Sequence, residues 1–233
     1  RVTGVQTCAL PICVIMKLYT VRHGQTIFNQ LDKVQGWADT PLTAQGEHDG
    51  KAAGERLQNV RFDAALSSDT SRAMHTAEFI LAENQFDTPE LKVTADWREY
   101  FFGSFEGGGN HEMWGAVGDA LGLPTDNPSE IGQHVDMTTI MDTIYQLDPQ
   151  HLGENAAAFW RRIDQSLATL QQHYPANANL LLVTHGQLIG NLAQHYGKLQ
   201  TASRPKNGAV AVFDLDEHGQ LHVANFNDVT TVF

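Results

Sequence analysis

Two histidines in this sequence each follow a run of apolar residues and precede a glycine. His23 lies in KLYTVRHG, and His185 lies in LLLVTHG. Each apolar run is typical of a short buried strand, so both imidazoles are expected at the carboxyl end of a strand. Ligands of open α/β sheets bind at that edge, which would bring the two histidines into one crevice. This shared placement indicates a common site rather than two unrelated surface or core histidines.

Arginine and amide side chains are expected to join the two histidines. Arg22 directly precedes His23, and Arg72 falls in the first turn of a helix that follows a third predicted strand. Asn29, shortly after His23, can donate an amide hydrogen bond. The glycines after both histidines let the backbone come close to a ligand, and helix N-termini present N–H groups to an anion. The sequence therefore predicts a site for a dianion such as phosphate, bound by Arg22, Asn29, Arg72, Gly24 and Gly186.

The charge of the chain restricts its partners. Lysine and arginine number 15 against 27 aspartates and glutamates, which gives a formal net charge of -12. Such an acidic surface repels nucleic acids and anionic lipid headgroups, and no apolar run approaches the roughly 20 residues of a membrane span. We therefore expect no nucleic acid and no membrane as partner, but a small phosphorylated molecule held by a local cluster of cations. The sequence carries no signal for an oligomeric state.

The first 15 residues, RVTGVQTCALPICVI, read differently from the rest of the chain. Met16 is followed at once by a strand-like segment, as at a native start, and the residues before it resemble a translated sequencing adapter. We expect residues 1–15 to be a non-native prefix and residues 16–233 to form a single domain. Both cysteines, Cys8 and Cys13, lie in the prefix. A body without cysteine excludes disulfides and thiolate zinc sites there, and it is typical of a protein of the reducing cytoplasm.

Strands are predicted to alternate with helices along the body of the chain. Apolar runs predict strands near 17–21, 62–66, 91–94 and 180–183, and a closing hairpin at 209–215 and 221–226. Helices are predicted near 43–57, after 68, at 154–174 and at 186–196, with Thr43 capping the first and Ser68 or Asp69 the second. Glycine, proline and aspartate interrupt residues 107–153, which are predicted as an insertion with short helical pieces. This order predicts an α/β three-layer sandwich with a mainly parallel central sheet flanked by helices, and the insertion over the active-site edge.

Six segments of the sequence resemble the histidine phosphatase superfamily, in the branch that contains cofactor-dependent phosphoglycerate mutases and their phosphatase relatives. They occur in the family's order between Met16 and the C-terminus, and the resemblance is loosest over residues 107–153. The segments are VRHGQTIFN, QGWADTPLTAQG, SSDTSRAMHTAE, WREYFFGSFEG, LLVTHGQLIG and NDVTTVF. Each segment is weak alone, but together they are highly specific.

The resemblance implies a role for each residue of the predicted phosphate site. His23 would be the nucleophile that becomes phosphorylated. Arg22, Arg72 and His185 would bind the oxygens of the transferring phosphoryl group, with the help of Asn29. Physical chemistry agrees, because nearby arginines lower the pKa of a histidine and keep the attacking imidazole neutral. Fixed cations and N–H donors also stabilise the charge that is spread over the phosphoryl oxygens in the transition state.

The proton donor has two candidates in the segment WREYFFGSFEG. By resemblance, Glu99 would protonate the leaving group and later act as the base that activates water. A glutamate beside a phosphate dianion has its pKa raised by the like charge, which suits it to protonate an alkoxide. Glu106 lies in the same segment and is the alternative acid; otherwise it is a carboxylate that stabilises the FEG turn.

The resemblance implies an enzyme, either a phosphatase or a mutase. A non-catalytic binding module on the same fold is the third possibility. The compact FFGSFEG segment and the chain size resemble those of the family's phosphatase relatives more than those of its mutases, and this resemblance favours a phosphomonoesterase that hydrolyses a small phosphorylated metabolite through a phosphohistidine. The alternative is a mutase that returns the phosphoryl group to a rebound phosphoglycerate. A non-catalytic binding module is expected to have lost His23, Arg72, Glu99 or His185, and none of these is lost.

Neither a metal nor an organic cofactor is implied. His111 and Glu112 begin a metalloprotease-like HExxH segment, but Gly115 occupies the place of its second histidine. Substrate specificity is expected to come from the insertion at 107–153, which would roof the site with residues such as His111, Met113 and Trp114. Met113 and Trp114 fit a small satellite core equally well.

Overall fold

The computed structural model describes residues 15–199 and 204–233, which form one mixed sheet with helices on both faces. All but the last residue of the predicted prefix lie outside the described residues. The six strands are β1 (Met16–Arg22), β2 (Ala64–Ser68), β3 (Leu91–Thr94), β4 (Asn179–Thr184), β5 (Val210–Leu215) and β6 (Leu221–Asp228). The α-helices of the described residues are α1 (Ile27–Gln30), α2 (Ala44–Leu57), α3 (Ser71–Ala82), α4 (Asn110–Ala120), α5 (Pro128–His134), α6 (Met137–Leu147), α7 (Ala156–His173) and α8 (Gly186–His195).

The sheet is parallel in its first four strands and closes with an antiparallel hairpin. Its strand order is β3-β2-β4-β1-β5-β6. Parallel pairs join β1 to β4, β2 to β4 and β2 to β3, whereas β5 runs antiparallel to β1 and β6 antiparallel to β5. The predicted mainly parallel sheet with a closing hairpin is confirmed. In the centre, Arg22 of β1 is paired with Thr184 of β4, so the next residues, His23 and His185, leave the sheet side by side.

The central strand β4 is buried on both faces, which makes the fold a sandwich of three layers. Leu181 and Val183 pack on one face, in a core that includes residues of α2 and α3. Leu180 and Leu182 pack on the other face, in a core that includes residues of α7 and α8. An unbroken apolar run is typical of a strand covered on both sides, so the predicted α/β sandwich is confirmed.

The two predicted helix caps have different outcomes. Thr43 caps α2 as predicted, because its side chain accepts a hydrogen bond from the N–H of Gly46. The prediction that Ser68 or Asp69 caps α3 is wrong: the cap residue is Thr70, whose side chain makes no capping bond. Asp69 instead binds Arg98 through two bonds of 2.6 Å. The free N–H of Ser71 is satisfied from a distant loop, by Asp39 Oδ2 at 2.6 Å.

Residues 107–153 contain the short helices α4, α5 and α6, as their broken helical pattern predicts. Val117, Ile131, Ile140 and Ile144 of these helices are buried in the same core as α7 and α8. The insertion is therefore anchored to the body of the protein by apolar contacts. Within the part of the chain that the structure describes, no helix is both long and apolar enough to cross a membrane.

Candidate active site

The two histidines lie next to each other at the carboxyl ends of β1 and β4. The N–H of His23 donates to the carbonyl of Thr184 at 3.0 Å, which extends the pairing of the strands by one residue. The centroids of the His23 and His185 rings are 5.3 Å apart. Both side chains are buried, with exposed fractions of 4% and 1%. The prediction from the strand ends that the two imidazoles share one crevice agrees with this geometry.

His23 is held as a neutral imidazole with a free Nε2. Its Nδ1 lies 2.8 Å from the carbonyl oxygen of Gly24, and because a carbonyl can only accept, Nδ1 must carry the proton. Burial lowers the pKa of His23 well below its ordinary value, and the charges of Arg72 and Arg22 lower it further. The Nε2 lone pair is therefore available for attack at neutral pH.

His185 is held in the opposite tautomer. Arg72 Nη2 lies 3.1 Å from His185 Nδ1, and because a guanidinium can only donate, Nδ1 accepts and Nε2 carries the proton. Burial lowers the pKa of His185 well below its ordinary value, followed by the charge of Arg72. The Nε2–H group is thus a neutral donor, buried and without a partner among the described residues.

Arg72 is fixed by a loop that follows α1. Its guanidinium donates to the carbonyls of Gly36 at 2.6 Å and Ala38 at 2.9 Å, and to Asp39 Oδ1 at 3.1 Å. Its side chain is fully buried. These bonds leave Arg72 Nε as the one nitrogen of the group with no partner in residues 15–199 and 204–233. The loop therefore orients the guanidinium and leaves Nε free for a ligand.

Arg22 presents a second unpartnered nitrogen. Its Nη1 donates to the carbonyl of Pro205 at 2.6 Å, while Nε is buried without a partner in the described structure. Burial lowers the pKa of Arg22 to about 9, well below that of an ordinary arginine. Buried polar atoms nearly always have a hydrogen-bond partner. Arg22 Nε, Arg72 Nε and His185 Nε2 together form the set of donors that the oxygens of a phosphoryl group would satisfy.

Glu99 is buried at the N-terminus of α8. Its Oε2 accepts the N–H of Gln187 at 2.7 Å, and its Oε1 accepts those of Leu188 at 2.8 Å and Tyr100 at 3.0 Å. Burial raises the pKa of the carboxyl group, although the three N–H donors and the charge of Arg72 oppose that rise. Because Oε1 accepts two bonds and Oε2 only one, Oε2 is the oxygen with room for a transferable proton.

Glu106 has a different environment. Its carboxylate accepts the backbone N–H groups of Gly36, Trp37 and Ala38, in the loop that holds Arg72, at distances of 2.9 to 3.0 Å. A fourth N–H, at 3.2 Å, comes from Phe102 in its own segment. The first three bonds fix the loop whose carbonyls fix Arg72. In this structure Glu106 therefore positions the loop that holds Arg72, which agrees with its alternative interpretation as a turn-stabilising carboxylate.

Asn29 lies near His23, and its side chain forms hydrogen bonds with neighbouring protein groups. Its Oδ1 accepts the N–H of Thr26 at 3.3 Å, in the capping box of α1, and the side-chain amide of Asn207 at 3.1 Å. Its own amide nitrogen has a long contact of 3.5 Å with Gln35. The Asn207 amide thus links Asn29 to the carbonyl of His23. The role of Asn29 as a phosphate ligand stays a prediction.

The two glycines after the histidines serve close packing in this structure. A Cβ on Gly24 would overlap the backbone of Gly46, and the Gly24 N–H donates to Thr76 at 3.0 Å. A Cβ on Gly186 would overlap the side chain of Arg204 and lie 3.0 Å from Arg22 Nε. Both glycines allow neighbouring groups to approach the site, and direct phosphate binding by either one stays a prediction.

Three further residues of the site were missed by the sequence analysis. Asp39 binds both Arg72 and the first N–H of α3. Asn207 donates to the carbonyl of His23 at 2.9 Å and so joins the loop before β5 to the first histidine. Arg204 precedes Pro205 in that same loop. Asp39 stood within the recognised segment QGWADTPLTAQG, whereas no local pattern marks Asn207 or Arg204.

A cavity of about 540 Å³ lies between the insertion and α8. It reaches the N-terminus of α8 at Gln187, whose backbone N–H donates to Glu99. Its apolar wall includes Trp114, Met137 and Ile140, and its polar lining includes His111, Asn127, Gln187, Gln194 and Arg204. Of the predicted roof, His111 and Trp114 line the cavity, whereas Met113 does not. Met113 and Trp114 both belong to the core, with exposed fractions of 2% and 7%. Across the described ranges, no cluster of three or more histidine, cysteine or acidic side chains could hold a metal ion.

Comparison with known proteins finds a matching family model, two phosphoglycerate mutases and a phosphatase. The family model described as histidine phosphatase superfamily (branch 1) matches residues 18–228. A 2,3-bisphosphoglycerate-dependent phosphoglycerate mutase of Methanococcus vannielii is 38% identical, over 90% of this chain and 95% of its own length. The adenosylcobalamin/alpha-ribazole phosphatase of Escherichia coli is 29% identical, over 76% of this chain and 77% of its own length. The crystal structure of a phosphoglycerate mutase from Bacillus anthracis superposes with a TM-score of 0.85, at 30% identity, covering 93% of this chain and 95% of that one.

Proposed function

This chain belongs to branch 1 of the histidine phosphatase superfamily, and from that premise we propose that it is a phosphomonoesterase that hydrolyses a small phosphorylated metabolite. The observation that carries this proposal is the set of unpartnered donors, Arg22 Nε, Arg72 Nε and His185 Nε2, beside the neutral His23. A phosphoryl group bound by these nitrogens would satisfy all three. It would also lie against the only imidazole of the pair whose Nε2 lone pair is free.

The first step is transfer of the phosphoryl group to His23. The Nε2 lone pair forms the N–P bond while the bond between phosphorus and the leaving oxygen breaks. Arg22, Arg72 and His185 hold the three oxygens that do not react, and they stabilise the charge that these oxygens carry in the transition state. Glu99 gives the proton of Oε2 to the leaving oxygen, so the alcohol departs neutral.

The second step is hydrolysis of the phosphohistidine. Water forms a new bond to phosphorus and the N–P bond breaks, which returns His23 to its neutral state. Glu99, deprotonated in the first step, accepts a proton from the attacking water and regains its starting form. Inorganic phosphate then leaves the three donors, and the net reaction is the conversion of a phosphate monoester and water into an alcohol and phosphate.

The second candidate function is a mutase, favoured by the names of two of the three relatives. The first step would be the same, but a phosphoglycerate instead of water would accept the phosphoryl group in the second. Hydrolysis is supported by the α-ribazole phosphatase relative and by the exposed rim of the cavity, where 77% of the His111 side chain is accessible to solvent. A mutase must keep water from its phosphoenzyme, and an exposed rim does not favour that exclusion.

A single-turnover experiment with ³²P-labelled p-nitrophenyl phosphate tests this proposal. We expect acid-labile, base-stable label on His23 after brief mixing, lost in His23→Ala and kept in the exposed control His48→Ala. When the labelled enzyme is then mixed with 3-phosphoglycerate, we expect label to appear chiefly as inorganic phosphate. Label on another residue would overturn the mechanism. Transfer to phosphoglycerate that exceeds hydrolysis about tenfold would identify the second candidate instead.

A further inference from the structure

Arg162 of α7 binds the backbone segment that carries Glu99. Its Nη1 donates to the carbonyls of Asp96 at 2.8 Å and Arg98 at 2.9 Å, and its Nη2 donates to the carbonyl of Glu99 at 3.3 Å. Residues 98–102 belong to no helix or strand, so their carbonyls need hydrogen-bond partners from outside the segment. One guanidinium supplies such partners to three carbonyls.

Glu154 holds the guanidinium of Arg162 in place. Its Oε1 accepts Nε at 2.9 Å and its Oε2 accepts Nη2 at 2.8 Å, which is the two-bond geometry of a carboxylate and a planar guanidinium. The two side chains have exposed fractions of 16% and 12%. Glu154 Oε2 also accepts the N–H of Phe101 at 3.1 Å, and the N–H of Glu154 donates to the carbonyl of Phe101 at 3.0 Å. The pair therefore binds the chain both before and after Glu99.

The N–H groups of Arg162 are all in use. A guanidinium has five of them, and those of Arg162 make two bonds to Glu154 and three to backbone carbonyls. Arg22 and Arg72 differ, because the Nε of each is buried without a partner in the described ranges. Arg162 also does not line the cavity. It has no donor left for a substrate, so apart from its charge it acts on the reaction through the residues that it holds.

General acid catalysis depends on where the acid lies. The acid must be within hydrogen-bond distance of the leaving oxygen, and a displacement of about 1 Å can slow a reaction roughly 100-fold. The Glu99 carboxyl group is bound by N–H groups of α8, whereas its main chain lies in a segment without regular structure. Trp37 Nε1 donates to the Glu99 carbonyl at 2.9 Å, and the other support of that carbonyl is Arg162. Loss of the Arg162 bonds would let the main chain move and draw the carboxyl group with it.

We propose that Arg162, fixed by Glu154, is a positioning residue for the proton donor: it holds the main chain of residues 96–101 so that Glu99 reaches the leaving oxygen. This inference rests on the proposed function, because it takes Glu99 as the acid and His23 as the phosphoryl acceptor. It adds a role for α7, a helix that carries none of the predicted site residues. Without the guanidinium, proton transfer is impaired while His23 still accepts a phosphoryl group.

Arg162→Lys tests this role, because lysine keeps the positive charge but has three donors instead of five and no planar fork. Rapid-quench measurement gives the rate of phosphoryl transfer to His23 from ³²P-labelled glycerol 2-phosphate and p-nitrophenyl phosphate. We expect transfer from glycerol 2-phosphate, which releases an alkoxide, to slow roughly 10-fold or more. Transfer from p-nitrophenyl phosphate should slow less than about threefold, because nitrophenolate departs readily without a proton.

Glu99→Gln is the reference for this effect. On its own it should raise the ratio of the transfer rate from p-nitrophenyl phosphate to that from glycerol 2-phosphate. Arg162→Lys added to Glu99→Gln should raise the ratio no further, because no proton donor is left to position. Arg161→Lys is the matched control, since it makes the same substitution at the exposed neighbour on α7, and it should leave both rates unchanged.

Glu154→Gln gives a second test if Arg162→Lys does not fold. It removes one acceptor of the two-bond pair and should change the ratio in the same direction. Equal slowing for both substrates, or a loss of stability in urea with an unchanged ratio, would overturn the proposal. A change of the ratio that adds in full to that of Glu99→Gln would overturn it too. Failure of the proposed function is seen separately, because Glu99→Gln alone would then leave the ratio unchanged or no label would appear on His23.

Discussion

At the scale of single residues, the two carboxylates of one segment have different surroundings. Glu99 is 4% exposed, its pKa is raised by burial, and the charge of Arg72 is among the charges that act on it. Glu106 has its carboxylate oxygens bound by four backbone N–H groups, three from the loop around residue 37 and one from Phe102. A group with a raised pKa and an oxygen open to a further bond is suited to proton transfer. A carboxylate saturated with donors is suited to hold a loop.

Replacement of Glu99 by glutamine tests this division of roles. The amide keeps the size of the side chain but has no proton to transfer, so departure of an alkoxide should be impaired. We expect phosphoryl transfer to His23 to slow roughly 100-fold or more for alkyl phosphates, the usual contribution of general acid catalysis. The same step should slow far less for p-nitrophenyl phosphate, whose leaving group departs readily without a proton. Rapid-quench measurement isolates this step from the later hydrolysis, which also uses Glu99.

Glu106→Gln is the control for that experiment. It weakens the anchor of the loop that orients Arg72, so it should slow transfer from both substrates by a similar factor. A dependence on the leaving group that follows Glu106 and not Glu99 would show that the acid is the other carboxylate. A dependence that follows neither would place the proton donor elsewhere.

The residues of the site were predictable where they occupy strand ends or a recognised segment. His23 and His185 could be placed together because each ends a strand of one parallel sheet, and parallel strand ends share an edge. Asn207 and Arg204 could not, because the contact of their loop with β1 depends on how β5 returns to the sheet. The pKa of His23 was expected to be lowered by arginines, whereas burial is the largest cause. Burial depends on the tertiary structure, which a single segment does not contain.

At the scale of elements, a single loop holds one of the two arginines of the candidate site. Residues 36–39 bind Arg72 through carbonyls and a carboxylate, and Arg72 in turn fixes the tautomer of His185. The same loop caps α3, because Asp39 accepts the N–H of Ser71. The prediction of a cap at Ser68 or Asp69 was wrong for this reason. The residues next to the start of a helix do not reveal that its first N–H group binds a side chain 32 residues away in the sequence. By contrast, β3 was predicted with the bounds that the structure has, because an apolar strand pattern is local.

Two glycines in the helices of the insertion have opposite surroundings and predict opposite effects on stability. A Cβ on Gly118 of α4 would overlap the carbonyl oxygen of Thr125 and lie 2.8 Å from that of Leu123. Gly118→Ala is therefore expected to lower the free energy of unfolding by about 1–3 kcal/mol through overpacking. A Cβ on Gly132 of α5 would meet nothing within 4 Å. Gly132→Ala should raise the free energy of unfolding by about 0.5–1 kcal/mol, because alanine favours the helix.

Urea unfolding of the two variants and the parent protein measures this difference. The pair is matched, since both substitutions add one methyl group to a helix of the same insertion. Stabilisation by Gly118→Ala would mean that the segment 123–125 moves aside without cost. Destabilisation by Gly132→Ala would mean that the α5 surface is covered by something else in the folded protein.

At the scale of the whole molecule, an acidic protein buries a cationic site. The net charge is -12, yet two arginines and two neutral histidines form the candidate site, with exposed fractions of 6% or less. Concentrating the cations at one sheet edge gives that edge a local positive charge that attracts an anion. The acidic composition predicted a local cluster of cations but not its position in the fold. Its position followed from the strands whose carboxyl ends carry His23 and His185.

The two buried histidines predict how stability depends on pH. In the folded protein the pKa of His23 and His185 is well below 6.5, so both stay neutral, whereas the unfolded chain binds protons as the pH falls through that ordinary value. The unfolded state then holds more protons than the folded state, and the free energy of unfolding must fall with falling pH. Each histidine contributes a slope of at most about 1.4 kcal/mol per pH unit. The raised pKa of Glu99 acts in the opposite direction as the pH falls through that raised value, because the folded protein holds this proton more tightly than the unfolded chain.

A substitution isolates the contribution of His185 from that of the other titrating groups. His185→Gln keeps an amide near the position of Nε2–H but cannot take up a proton in the unfolded chain. The variant should be less stable than the parent at pH 8, and the gap should narrow by up to about 1.4 kcal/mol per pH unit below pH 6.5. Urea unfolding at intervals from pH 8 to pH 5 measures the gap, and exposed His48→Gln controls for the loss of one histidine from the chain. A gap that stays constant over this range would mean that His185 takes up a proton in the folded protein as readily as in the unfolded chain, and a permanently neutral Nε2–H donor would then be the wrong description of the site.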